Sequence, residues 1–140
     1  MTNKIIFWLL LSYVLFQLAS LFLGNAPLFF AYIIVYLIAI VYTATKCAKM
    51  SFTTGSIKPL TVPIVMFLLA NLLLFLIYLP TLIFNPNINW RLKGEAEADP
   101  MLLQAYVPVV FFVIAFLVIL LGSVSAKLVA HKRNRIKIHF

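Results

Sequence analysis

The chain has 140 residues, 65% of them apolar, with eleven Lys/Arg against three Asp/Glu and a formal net charge of +8. Soluble domains are about 45–50% apolar, and a chain of this length made mostly of apolar runs has no room for a separate soluble core. A single cysteine, Cys47, excludes a disulfide framework or a paired-thiol redox centre within the chain.

Four runs carry no Asp, Glu, Lys, Arg or His: Ile5 to Leu23, Pro27 to Thr45, Leu60 to Ile83 and Met101 to Ala126. Each is long enough to cross a ~30 Å hydrocarbon layer at 1.5 Å per residue. Lipid offers the backbone no hydrogen-bond partners, so such runs must be helical. The first run follows Lys4 and precedes Leu18-Ala19-Ser20, a poor cleavage site. Its apolar region exceeds the ~7–15 residues of a secretory signal, so a retained span is expected.

Span one ends at Gly24, suited to the left-handed conformation that closes a helix, and Asn25 with Pro27 suits the start of span two. The connection from Lys46 to Pro59 is polar and reads as a flexible loop. Pro63 falls in the first turns of span three, where a missing N–H costs little. Pro80 is expected to kink or end that span. Asp99-Pro100 is a start signal for span four, with Asp as cap and Pro at the first helical position. Pro108, two turns in, predicts a kink or a short interfacial segment. Beyond Ala126, residues 127–135 read as a helical continuation, whereas Ile136-Lys137-Ile138-His139-Phe140 alternates apolar and basic and predicts an extended end.

Charge predicts orientation. Lys4, Lys46, Lys49, Lys58, Lys127, Lys132, Arg133, Arg135 and Lys137 fall on one side if the spans alternate, and only Arg91 and Lys93 fall on the other. Cytoplasmic segments are enriched in Lys and Arg. The expected architecture is therefore an all-α integral membrane protein, residues 1–140 forming one domain. Its four transmembrane helices make two in–out–in hairpins with both termini cytoplasmic, and residues 127–140 form a basic tail. The expected location is the bacterial cytoplasmic (inner) membrane. Trp8, Tyr42, Trp90 and Tyr106 fall near span ends and read as headgroup-level anchors, Trp90 alternatively as a partner contact.

Polar residues inside the spans are few. Tyr13, Gln17, Ser20 and Gly24 share one face of span one, and Asn71 and Tyr78 share one side of span three. Gln17 and Asn71 lie at similar depth, which predicts an interhelical amide–amide bond of about 0.6 kcal/mol that sets register. Ala115, Gly122, Ala126 and Ala130 form a small-residue strip on span four, a candidate helix-packing face. Lys127, Lys132, Arg133, Arg135 and Lys137 are expected to meet anionic lipid headgroups or a partner.

No Asp, Glu, Lys, Arg or His lies within a span, the usual mark of an ion or proton pathway. His131 and His139 lack an accompanying carboxylate or cysteine and make a poor metal site. Cys47 reads as an inert or exposed thiol, with S-palmitoylation the alternative near a membrane surface. No enzyme activity, cofactor or metal is expected, and no nucleic-acid partner. The first functional expectation is a non-catalytic membrane protein acting through helix–helix contacts, an accessory, assembly or structural subunit of a larger membrane complex. Its partners would be the bilayer and another membrane protein or copies of itself. The alternative is a small protective protein similar in architecture to the bacteriocin-immunity kind. A third is an oligomeric transporter of small solutes or lipids, with Gln17, Asn71 and the tyrosines along its path.

Overall fold

The computed structural model describes residues 1–23, 26–84 and 100–139. Four helices account for nearly all of them: α1 Thr2–Leu23, α2 Ala26–Thr54, α3 Thr61–Phe84 and α4 Pro100–Ile138, with a 3-10 turn at Lys58–Leu60 before α3. All four are long and apolar enough to cross a membrane. Gly24, Asn25 and residues 85–99, including Trp90 and the three acids Glu95, Glu97 and Asp99, lie outside the described residues.

The helices form a ring in the order α1–α2–α4–α3. α2 packs on α1 and α4, and α3 packs on α4 and α1. Thus α2 and α3, consecutive in the chain, face one another across the bundle. Side-chain contacts give the relative direction. Tyr13 meets Asn71 and Gln17 meets Tyr78, so contacts advance together along α1 and α3. On α2 and α4, Tyr36 stacks on Phe111 and Phe52 lies under Arg133, again advancing together.

Each helix turns one stripe inward. On α1 it is Ile6, Leu10, Tyr13 and Gln17, and on α3 Phe67, Asn71, Leu74 and Tyr78, at the three-and-four spacing of left-handed bundles. Outward-facing positions hold large apolar side chains such as Leu15, Leu69, Leu76 and Leu121. The buried set, by contrast, includes Gln17, Thr43, Ser51, Asn71 and Ser123. A bundle with polar groups inside and a nearly continuous apolar exterior inverts the soluble pattern. It suits a bilayer, where burial between helices earns no hydrophobic gain and polar groups are satisfied inside.

α2 corrects the expected loop from Lys46 to Pro59. The helix continues through Thr54, and its 29 residues span about 43 Å, more than the hydrocarbon needs. The reason is continuity of the buried stripe: Thr43, Cys47 and Ser51 follow at four-residue steps and are all covered. Cys47 is therefore buried, against the exposed thiol and the palmitoylation site considered from the sequence. Thr54 Oγ1 donates to the Met50 carbonyl at 2.7 Å, and the helix closes on Gly55, whose N–H donates to the Ser51 carbonyl at 2.9 Å and whose φ of 65° turns the chain out of the helix. A Cβ there meets no other atom. The cost of Gly55→Ala is thus the backbone conformation alone, and a loss of about 1 kcal/mol is expected in equilibrium unfolding.

α4 also exceeds expectation. It is one helix of 39 residues that carries Pro108 inside it, with no separate interfacial segment. It runs through Ile138, so Ile136, Lys137 and Ile138, expected to be extended, are helical instead. Alternation alone does not make a strand without a partner strand to pair with, while Arg and Lys propagate a helix well. Arg135 and Lys137 in the last turn also complement the helix dipole. α3 likewise continues past Pro80 to Phe84.

Candidate functional site

The interior of the bundle holds a cluster to which all four helices contribute. At its centre is Asn71 on α3, buried among tyrosines. Its Oδ1 accepts a hydrogen bond from the Tyr13 hydroxyl of α1 at 2.9 Å. Its Nδ2 donates to the Tyr36 hydroxyl of α2 at 3.1 Å and to the Phe67 carbonyl of its own helix at 2.8 Å. One amide thereby ties three helices together. The fourth joins by stacking: the Phe111 ring of α4 lies 5.0 Å from that of Tyr36, tilted by 23°. Tyr13 and Tyr36 are closer still, with ring centroids 4.5 Å apart, and Phe67 meets Tyr36 edge-on at 5.6 Å.

Gln17 lies one turn along α1 from Tyr13, beside the Tyr78 hydroxyl of α3. Its Oε1 has no partner. The structure places Gln17 and Asn71 on the same interhelical wall but does not join them. Both Asn71 amide protons are used on Tyr36 and Phe67, and Gln17 has a different tyrosine, Tyr78, beside it. Equal depth put the two amides on one level, but orientation about the helix axes pairs them separately.

Tyr36 was not singled out from the sequence. The signal was there in Tyr32 and Tyr36, one turn apart in mid-span, because a phenol buried in lipid needs a partner for its hydroxyl. A second polar seam also escaped notice. Thr43 and Ser51 of α2 and Ser123 of α4 are fully covered, and their hydroxyl oxygens have no hydrogen-bond partner.

The strip on α4 divides. Ala115 and Ala130 are buried, whereas Gly122 and Ala126 are only partly covered. A Cβ built on Gly122 meets nothing within 4 Å, so no helix approaches closely there. The covered line is Ala115, Ile119, Ser123 and Ala130, again at seven- and four-residue steps.

The basic residues Lys127, Lys132, Arg133, Arg135 and Lys137 are all exposed. Because α4 stays helical, ~100° per residue distributes them around the rod rather than on one face. The Arg133 guanidinium lies over the Phe52 ring at 5.9 Å, and Lys127 lines a cleft against the end of α2. An apolar groove on the opposite side of the ring, between α1 and α3, is lined by residues including Phe7, Leu11, Leu69 and Leu73.

Chemically, the interior offers neutral donors and acceptors and aromatic faces. No group of three or more His, Cys, Asp or Glu is close enough to hold a metal among the described residues. No family model, no curated protein and no solved structure matches the chain.

Proposed function

We propose that this is a non-catalytic multi-pass membrane protein that acts through helix–helix contacts, as an accessory, assembly or structural subunit of a larger membrane complex. The observation that carries the reading is the use of the interior. Asn71 spends its bonding capacity on tying α1, α2 and α3 together, and the four uncharged runs hold no Asp, Glu, Lys, Arg or His. Such an interior serves architecture, and the large apolar exterior is what remains for contact with lipid or another chain.

We further propose that both termini face the cytoplasm of a bacterial inner membrane. Phe52 of α2 lies under Arg133 of α4, and the 3-10 turn bearing Lys58 packs on α4, so the basic segments of α2, the 3-10 turn and α4 gather at one end. Their concentration there supports the positive-inside orientation.

A second reading, an oligomeric transporter of small solutes or lipids, draws on the unpartnered oxygens of Gln17, Thr43, Ser51 and Ser123. Purification of the tagged chain in mild detergent at native expression, followed by mass spectrometry, separates the two. Stoichiometric membrane partners are the expected result. Recovery as a lone monomer or homo-oligomer would overturn the subunit reading and bring solute-flux and toxin-protection assays forward.

A further inference from the structure

We propose that the cleft between the C-terminal turn of α2 and the first charged turns of α4 seats the phosphate of one anionic phospholipid. The inference rests on the bundle lying in a bilayer and is independent of any partner subunit.

The cleft encloses about 470 Å³. α4 contributes Lys127, His131 and Asn134, which follow at steps of four and three and so share one face. α2 contributes the Thr53–Gly55 cap opposite. Lys127, His131 and Asn134 bring an ammonium, an imidazole and an amide to one wall, all able to donate to a phosphate oxygen. Phe52 also lines the cleft and holds the Arg133 guanidinium at its rim. No Asp or Glu occurs in α2, in the 3-10 turn or in α4, so no carboxylate of these elements neutralises the cations.

The level suits a headgroup. Ala126 ends the stretch of α4 free of ionisable residues and Lys127 is its first charge, so the cleft opens where hydrocarbon gives way to the polar zone. Directly below, Leu121, Val124 and Leu128 are exposed and follow at steps of three and four, one apolar strip leading to the cleft. Leu128 itself lines it. A cationic cleft above an exposed apolar strip matches a phospholipid, phosphate above and acyl chain below. Free phosphate would use only the upper half.

This seat differs from general attraction of a basic rod to an anionic surface, and the difference is measurable. Lys127 and Lys132 carry the same charge, but Lys127 lines the cleft and Lys132 does not. The full chain in mild detergent is titrated with short-chain phosphatidylglycerol and bound lipid is counted by native mass spectrometry. One saturable lipid is expected, weakened about fivefold by Lys127→Gln and less than twofold by Lys132→Gln. Asn134→Ala, which alters no charge, is expected to weaken binding about threefold. Equal losses for the two lysine variants would overturn the seat in favour of diffuse electrostatics. Equal binding of phosphatidylcholine would overturn its selectivity for anionic lipid. Displacement of the lipid by millimolar inorganic phosphate would reassign the cleft to a free anion.

Discussion

Replacing Asn71 by leucine is expected to cost the bundle about 2 kcal/mol in equilibrium unfolding from mixed micelles. Leucine keeps the branched shape and heavy-atom count of asparagine, so most of the loss is polar, with its greater bulk adding to it. Three bonds disappear at once, to Tyr13, Tyr36 and the Phe67 carbonyl, and intramembrane hydrogen bonds average about 0.6 kcal/mol each. The two tyrosine hydroxyls lose Asn71 at a depth where water cannot replace it. Tyr13→Phe removes one of those bonds and is expected to cost about 0.6 kcal/mol. A double-mutant cycle between Tyr13→Phe and Asn71→Leu should return coupling of that size. Gln17→Leu should couple to Tyr78→Phe and not measurably to Asn71→Leu, because Gln17 lies beside the Tyr78 hydroxyl. A loss below about 0.5 kcal/mol for Asn71→Leu would remove the amide from its role as the joint of three helices.

Ala115→Leu is expected to be at least as damaging, at about 3 kcal/mol. Ala115 is fully buried, and three added carbons there must push α4 off its neighbours. The same strip contains a contrasting position. Gly122→Ala introduces a Cβ that meets no atom, and alanine is the better helix former by up to about 1 kcal/mol. A neutral or slightly stabilising effect is expected. Thermal unfolding of the two variants side by side distinguishes a strip packed along its whole length from one covered only at Ala115 and Ala130. Should Gly122→Ala leave the isolated chain stable but abolish recovery of partners, Gly122 would mark the face where another helix docks. Destabilisation of the isolated chain by Gly122→Ala would instead contradict the open space beside that glycine.

The four helices were readable before any coordinates because the bilayer imposes a single solution on an uncharged run of about twenty residues. The start of α4 at Pro100 was readable too, since proline at the first helical position needs no N–H. The ends of α2 and α4 were not. Charge marks where a helix leaves the hydrocarbon, but it does not mark where the helix stops: α4 runs eight residues past its last buried residue, Ala130, and α2 runs to the end of its buried stripe and its cap. For α2 that is at Thr54 against Gly55, nine residues past Thr45.

Gln17 and Asn71 mark the same boundary on a finer scale. Rise per residue places two amides at one depth, and that is a property of the chain alone. Which way each side chain points depends on how the helices are rotated and arranged in the ring. In a soluble bundle the apolar stripe reveals that rotation, but here the lipid-facing surface is as apolar as the core, so periodicity is silent. Only packing places α2 across from α3, brings Tyr36 to Asn71, and gives Gln17 to Tyr78 instead. The chain's hydropathy therefore determines that four helices form and how deep each residue lies. Neighbours and bonding partners are decided by side-chain fit between helices, because within a bilayer no difference in hydrophobicity is left to choose them.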